Sequence, residues 1–521
     1  MKTIIELGNA ISKIKTENEQ IRPYMAKVFT IRDDTAYFNP SFKNGYWDGN
    51  VCFFDKVTGK FPTGLLGEVI QHLEEVKEPY EIDDQRTNRE LADCLQEATE
   101  DIIIGEKTLR SYQLDSFNAV MTSRVAGVPF PRGILNISTN GGKTLCAEAI
   151  IARVLPHIQG KFLFIVHSRE IAVQVRENFE RDLGIKVGFI GDGKWKPEKL
   201  TVAMISTLDS RRKRKEAKFR ELADETAGII VDECHHLSSS QYCSTLADMK
   251  SAFIRVGMTG TVDKNNKMRV TKMKGSTGEV LIKVSNNYLI ENDVSAKPVV
   301  YMLTVRYPHL DKKYDFSYDD DDSVKTIVYQ DIYREGIVEN DYRNWLIARI
   351  CNKEVKENKG QVLILVEHLM QGGFIEGMIN RLYPDIRVAY IHGQKSGDER
   401  QQTLGDLVAG RIDVIISTAI LDEGVDVPNI NALIYARGMK AMRKILQGCG
   451  RGLRRKKDGS NLRFYDFIDK TSKKLLKHSE QRYKILKNER FEIHEVKEKD
   501  YLGITDDDLD DFYDNIDNCE D

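Results

Sequence analysis

The chain has 521 residues, 41% of them hydrophobic and 30% charged, with 77 Lys and Arg against 80 Asp and Glu for a net charge of −3. At roughly 100–200 residues per domain, that is material for about three or four domains. The near-neutral balance excludes a globally basic nucleic-acid binder, and 12 Pro with 37 Gly exclude a collagenous or wholly disordered chain.

The opening MKTIIELGNAISKIK mixes charge into its apolar positions and has no signal-peptide core. Residues 1–100 read as a small N-terminal α+β domain. Tyr37, Phe38, Phe42, Tyr46, Trp47, Phe53, Phe54 and Phe61 crowd a stretch rich in Gly and Asn, which predicts a β-rich unit with tight turns. Trp47 is the candidate for stacking on a base, an interaction worth about 1–3 kcal/mol; core packing is the competing use.

From 101 to 292, apolar runs alternate with helical patterns. The predicted strands are Gly133–Ile137, Phe162–Val166, Val187–Ile190, Thr201–Ile205, Gly228–Asp232 and Arg255–Met258. The stretch from Lys186 to Thr201, with Trp195 near its middle, reads as a hairpin. The rhythm resumes from 293 to 472 with Val362–Val366, Val388–Ile391, Asp413–Ser417, Ala432–Tyr435 and Phe464–Phe467. Strands alternating with helices predict two α/β units, each a parallel sheet covered on both faces. Residues 473–521 read as a C-terminal helix and an acidic tail. The tail from 501 has nine acids and no base, a composition that predicts a disordered or loosely attached segment.

No apolar run approaches the ~20 residues of a membrane span. The eight cysteines include no C-x-x-C pair, which fits a reducing compartment. A soluble, cytoplasmic protein is expected. The Cys234–His235–His236 cluster lacks partner ligands at finger spacing, which argues against a metal there.

Three motifs carry chemistry. STNGGKT (138–144) follows an apolar strand and opens a helix. A Gly-rich turn there lets backbone N–H groups from Asn140, Gly141 and Gly142 wrap a phosphate at the positive helix end. Lys143 would reach the β- and γ-phosphates and Thr144 would hold Mg²⁺. Ile137 stands where the strict P-loop pattern has its first Gly, so the match is partial. IIVDECHH (229–236) places Asp232 and Glu233 at a strand's C-terminal end, Asp232 suited to the Mg²⁺ shell and Glu233 to orienting the attacking water. LQGCGRGLRR (446–455) supplies Gln447, Arg451 and Arg454, and an arginine on the developing charge of phosphoryl transfer contributes about 10³–10⁵ in rate.

With these motifs in order, residues 105–470 resemble the superfamily 2 helicases. LRSYQLDSF (109–117) resembles the adenine-reading segment, with Arg110 and Gln113 as readers. ISTLDS (205–210) resembles a segment that touches nucleic acid, which implies contacts from Ser206 and Thr207. The basic run RRKRKEAKFR (211–220) that follows adds Arg211 and Arg212. MTGTV (258–262) resembles motif III; with His235, its Thr259 and Thr261 are implied to couple hydrolysis to movement. ISTAILDEGVDVPNI (416–430) resembles motif V, which implies roles for Thr418, Gly424 and Asp426. The arginines of 447–454 match positions that face the γ-phosphate.

The segment AYFNPSFKNGYWDGNVCFFDKVTGKFPTGLLGEV (36–69) resembles the N-terminal domain of phage UvsW-like branch-migration helicases. The resemblance implies two tandem RecA-like domains, ATP and Mg²⁺ as cofactors, and forked, branched or duplex DNA as partner. Single-strand-binding or recombination proteins are candidate protein partners. A monomer is expected, in the host cytoplasm if the chain is phage-encoded. Glu423 stands where RNA helicases commonly have Arg, which favours DNA. The alternatives are a duplex translocase without strand separation, an RNA helicase, and a nucleotide-gated adaptor that does no motor work.

Overall fold

The computed structural model describes residues 2–262, 266–295, 298–306, 329–418, 430–439 and 461–517. The chain divides into two compact units, Met1–Ser285 and Asn286–Asp521.

The first unit opens with a small mixed sheet. Strands β1 (Thr3–Leu7), β2 (Ile11–Lys15), β3 (Lys60–Pro62) and β4 (Tyr80–Asp84) lie in the order β3-β2-β1-β4. The β1–β2 and β2–β3 pairs are antiparallel and the β1–β4 pair is parallel. Helices α1 (Ile21–Val28) and α2 (Leu66–Glu75) pack Ile21, Met25, Leu66, Val69 and Leu73 into its core with Ile5, Leu7 and Ile14. Between them the chain departs from the β-rich expectation. It forms a 3₁₀ turn at Ala36–Phe38 and a short helix at Pro40–Lys43, flanked by Thr30–Arg32 and Asn50–Cys52, which pair only with each other, before β3 joins the small sheet. Asn39 caps the helix by accepting from Ser41 N at 2.9 Å, and Pro40 fills the first helical position, where its missing N–H costs nothing.

The rest of the first unit is an eight-stranded sheet. Its strands are β5 (Arg132–Ile137), β6 (Lys161–Val166), β7 (Val187–Gly191), β8 (Lys194–Lys196), β9 (Leu200–Met204), β10 (Thr226–Val231), β11 (Ile254–Thr259) and β12 (Val280–Val284). The order is β8-β7-β9-β6-β10-β11-β5-β12. Every pair is parallel except the β7–β8 hairpin. Strands β5, β10 and β11 are buried along their whole length. That is the pattern of a sheet covered on both faces. Helices α3 (Ser111–Met121), α4 (Lys143–Val154), α5 (Ile205–Lys213) and α6 (Lys267–Ser276) follow the chain around it.

Polar contacts, one of them fully buried, join the small sheet to this larger one. Arg132 on β5 is buried and donates to Asn9 O at 2.9 Å and Thr277 O at 2.9 Å. Lys274 on α6 pairs with Glu68 on α2 at 2.7 Å and Glu279 at 2.8 Å.

The second unit is a seven-stranded sheet of β13 (Val299–Val305), β14 (Gln361–Leu365), β15 (Val388–Ile391), β16 (Val414–Ser417), β17 (Ile430–Tyr435), β18 (Arg463–Asp469) and β19 (Glu492–Val496). Its order is β15-β16-β14-β17-β18-β13-β19, parallel throughout. Helices α7 (Asp341–Asn352), α8 (Leu369–Leu382), α9 (Lys473–Asn488) and α10 (Asp506–Asp517) accompany it.

The tail is not loosely attached as far as Asp517. Residues 506–517 form α10, Phe512 is buried against Tyr342 and Trp345, and Asp508 pairs with Arg349 at 2.7 Å. The composition hides this because a few apolar side chains, Leu509 and Phe512 among them, anchor an otherwise acidic helix. No helix among the described residues is long and apolar enough to cross a membrane.

Candidate nucleotide and nucleic-acid site

Adjacent parallel strands deliver the first two motifs to one edge. In the order β10-β11-β5, the C-terminal ends lead to Asp232–Glu233, to Thr259 and to Ser138–Thr144. Ligands of open α/β sheets bind outside these ends. The turn after β5 carries Asn140 and Gly142 with φ of 71° and 72° before α4 begins at Lys143. A side chain at Gly142 would be strained by that φ and would run into Gln113 Nε2. Gln113 in turn donates to Gly141 O at 3.0 Å, Tyr112 OH donates to the same oxygen at 3.0 Å, and Gln113 Oε1 accepts from Arg110 N at 2.9 Å. Gln113 is buried and Arg110 is exposed. The predicted reader Gln113 is therefore also a brace for the phosphate turn. Tyr112 shares that work, and only its place next to Gln113 could have flagged it.

Three side chains meet around Glu233, those of Lys143, His235 and Thr259. Lys143 Nζ lies 2.8 Å from Glu233 Oε1, and His235 Nδ1 lies 3.0 Å from Glu233 Oε2. Thr259 Oγ1 is 3.1 Å from His235 Nδ1 and accepts from Thr261 N at 3.2 Å. The predicted coupling residues thus form a chain from the carboxylate to the segment after β11. Glu233 itself has φ of 45°, a left-handed conformation costing a non-glycine residue about 1–2 kcal/mol. Asp232 is anchored by its N–H to Ile165 O at 2.9 Å, and its Oδ1 accepts from Glu233 N at 3.0 Å.

The two acids are held apart electrostatically. Burial, with the neighbouring Glu233 charge, pushes the Asp232 carboxyl up. Burial also acts on Glu233, but Lys143 and His235 outweigh it and hold that carboxyl below the usual range. Lys143 keeps its proton firmly, because Glu233 and Asp232 together overcome its desolvation.

The donor set fits ATP with Mg²⁺. The half-buried Thr144 hydroxyl and the Asp232 carboxylate are hard oxygen ligands of the kind Mg²⁺ takes. The left-handed Gly142 leaves the phosphate turn clear of any side chain. Thr261 Oγ1 is buried with no hydrogen-bond partner among the described residues. Cys234, the centre of the weighed metal cluster, is instead a core side chain packed under Gly257.

The nucleic-acid candidates divide. Ser206 and Thr207 sit in the first turn of α5, past the C-terminal end of β9. Arg211 and Arg212 are engaged internally: Arg211 binds both oxygens of Glu216 at 2.8 Å, and Arg212 binds Asp209 at 2.8 Å. Arg214, Lys215 and Arg220 of the same run are exposed and have no ion pair among the described residues. Trp47 is half-buried, donates Nε1–H to Asn50 O at 2.7 Å and meets Phe42 edge-on. The open rings nearby are Tyr37 at 62%, Phe38 at 78% and Tyr46 at 86% exposure. Trp195 lies on the β7–β8 hairpin but packs against the core and under Lys218. Thr418 is buried at the end of β16. Gly424, Asp426, Gln447, Arg451 and Arg454 lie outside the described residues.

Comparison with known proteins agrees with this arrangement. Residues 106–264 match the family described as Type III restriction enzyme, res subunit, and residues 345–456 match the helicase conserved C-terminal domain. The chain is 24% identical over 500 residues to the ATP-dependent DNA helicase uvsW of Enterobacteria phage T4, covering 89% of this chain and 93% of that protein. The chain is a superfamily 2 helicase. It is also 26% identical over 369 residues to the DNA 3'-5' translocase XPB2 of Sulfurisphaera tokodaii, with 67% of this chain and 79% of that protein covered. In fold, the helicase is similar to Saccharomyces cerevisiae Dbp5 bound to RNA and ADP BeF3, with TM-score 0.51, 14% identity and coverage of 76% and 96%. It is similar too to the Type ISP restriction-modification enzyme LlaBIII bound to DNA, with TM-score 0.53, 15% identity and coverage of 75% and 32%. Superfamily 2 helicases use ATP, typically with Mg²⁺, and act on nucleic acid.

Proposed function

We propose that this helicase moves on DNA and unwinds or branch-migrates forks and junctions. The observation that carries the reading is the extent of the likeness to the phage T4 DNA helicase. It covers 89% of this chain, so it reaches beyond the two segments matched by the family descriptions. On this reading residues 1–100 engage the DNA, residues 101–292 and 293–472 are the two motor domains, and 473–521 form a C-terminal appendage.

In the proposed cycle, the turn of Asn140, Gly141 and Gly142 cradles phosphates, Thr144 and Asp232 hold Mg²⁺, and Gln113 with Arg110 reads the adenine. Phosphate oxygens take over the Lys143 ammonium, which releases Glu233 from its 2.8 Å pair to orient water. Arg451 and Arg454 stabilise the developing charge, and Gln447, Gly424 and Asp426 contribute to binding the nucleotide. Glu233, His235, Thr259 and Thr261 then report hydrolysis to the strand-contacting segments. Those segments are Ser206, Thr207, Thr418 and the exposed bases of the 211–220 run. Phosphate contacts from such residues give affinity without sequence information, as a motor requires.

A second reading is translocation on duplex DNA without strand separation, favoured by the likeness to the translocase XPB2. Glu233→Gln and Lys143→Ala test the shared chemistry. Glu233→Gln is expected to retain ATP binding and lose about a hundredfold or more of turnover, and Lys143→Ala to lose both. DNA-stimulated turnover surviving in Lys143→Ala would refute the site.

A further inference from the structure

We infer that His236 is a positioning residue that ties the ATP site to the strand-contacting segments of the first unit, at the centre of a cluster of four rings with His167, His235 and Tyr242. The inference rests on the proposed role of Glu233 and His235 in reporting hydrolysis.

The strand order places this cluster between two functions. At the C-terminal edge of the larger sheet, β10 leads to Asp232 and Glu233, while β9 leads to Ser206 and Thr207. β6 lies between β9 and β10, and its end runs directly into His167. The end of β6 is therefore the ground between the nucleotide side of this edge and its proposed strand-contacting side.

His236 occupies that ground. It follows His235 in the 3₁₀ turn Cys234–Ser238 and is half-buried. Its ring centre lies 4.2 Å from that of His235, 5.0 Å from that of His167 and 6.2 Å from that of Tyr242, to which its ring is nearly parallel. His235 Nδ1 faces both Glu233 and Thr259, so a change at the carboxylate reaches the His235 ring first and His236 next. Two routes leave His236. One passes through His167 to the start of the helix Arg169–Leu183, where Ser168 accepts from Ile171 N at 3.3 Å and Arg169 lies 3.1 Å from Asp192 of the β7–β8 turn. The other passes through Tyr242, which is buried on the helix Ser240–Asp248 and shares a core cluster with Ile205 and Leu208 of α5. Arg212 of α5 also lies 3.7 Å from Asp248 of that helix. The first turn of α5 carries Ser206 and Thr207.

Close packing makes such a cluster a transmitter. A displaced side chain in a dense interior has no void to move into, so it moves its neighbours. Small shifts at one end then switch packed elements between discrete arrangements. The motif marks His235 for coupling and leaves His236, the next residue of the same run, without a role. The ring contacts supply that role.

The test measures fork affinity of the full-length chain with and without a non-hydrolysable ATP analogue and Mg²⁺, on DNA forks and on RNA forks. The parent chain, His236→Ala and His167→Ala are compared. For the parent, the analogue is expected to change fork affinity about fivefold or more. In His236→Ala that ratio is expected to fall within about twofold of unity. Affinity for the analogue without a fork should stay within about twofold of the parent's, and melting should fall by only a few degrees. His167→Ala breaks the cluster from the β6 side and should lower the ratio too, with a less than additive loss when the two are combined. It decides the matter should His236→Ala fail to fold. The parent's ratio retained in His236→Ala would overturn the inference. So would a lost ratio matched by an equal loss of analogue affinity without a fork, the pattern of a merely structural role. A parent ratio of unity on both kinds of fork would refute the proposed coupling, and the inference with it. A parent ratio found only with RNA forks would refute DNA as the track, while its loss in His236→Ala would still support the cluster.

Discussion

Deleting the acidic tail should weaken the fold before it alters charge. Phe512 is 6% exposed and lies with its ring centre 5.0 Å from that of Trp345 and 5.7 Å from that of Tyr342. A buried aromatic ring covers about 150–250 Å², which at about 25 cal/mol per Å² sets an upper bound of about 4–6 kcal/mol. Phe512→Ala in a core would cost about 3–5 kcal/mol. Because α10 can undock as a unit, the loss stops at its own docking energy, and about 2–4 kcal/mol is the expected range. The partly exposed Arg349–Asp508 pair adds less than about 1 kcal/mol. In a unit of this size each kcal/mol moves the melting temperature about 2–4 °C, so the second unit should melt about 5–15 °C lower. Calorimetry with limited proteolysis reads this directly. Asp507→Asn with Asp510→Asn, both exposed, removes charge without touching the packing and should leave melting within about 2 °C. Equal melting of Phe512→Ala and the parent chain would refute the docked tail and restore the loosely attached one.

Other outcomes follow from the same geometry. Glu148 is buried on α4, and burial, with the Asp182 charge nearby, pushes its carboxyl up to about 7. Its folded state therefore favours the proton, so stability present below about pH 4.5 is lost as pH rises through about 7. Glu148→Gln should gain up to about 3 kcal/mol over the parent at pH 8 and little at pH 5, by chemical denaturation; a pH-independent difference would contradict this. Tyr46→Ser with Phe38→Ser should weaken binding to single-stranded or forked DNA by about 1–3 kcal/mol per stacked base at unchanged melting temperature, whereas Trp47→Ala should lower the melting temperature first. Fluorescence anisotropy on forks separates the two, and equal binding in the Ser variants would remove the open rings from the interface. Charge reversal at Arg214, Lys215 and Arg220 should flatten the salt dependence of DNA binding, and an unchanged slope would clear that run of any role.

Much of the architecture was legible in the sequence because central parallel strands are buried on both faces. β5, β6, β10, β11, β14 and β16 read as mostly apolar runs, and their predicted bounds fall within two residues of those observed. The strands that escaped are of another kind. β12 and β19 have exposed or half-exposed residues along most of their length, so neither shows a full apolar run. The partners of β13, β18 and β19, lie far along the chain. The aromatic segment departs from the β-rich expectation because ring-rich composition favours strands in general, whereas the Asn39 cap and Pro40 start a short helix locally. At the site, the strand-end rule located Lys143, Asp232 and Glu233 beforehand. It could not show that Gln113 braces the turn, that Arg211 and Arg212 pair with Glu216 and Asp209, or that buried Arg343, Gln371 and Arg482 from three helices converge on Ala436 and Gly438. Those depend on long-range packing, which periodicity does not encode.

The central claim is that ATP hydrolysis at this site drives remodelling of branched DNA. The most direct measurement follows strand products on a matched panel of forks, Holliday junctions, R-loops, linear duplexes and RNA forks, with the parent chain and Glu233→Gln run side by side. ATP-dependent conversion of the branched DNA by the parent chain, with none by Glu233→Gln and little on linear duplex or RNA, is the predicted result. Equal action of both chains, or conversion confined to the RNA forks, would contradict the account.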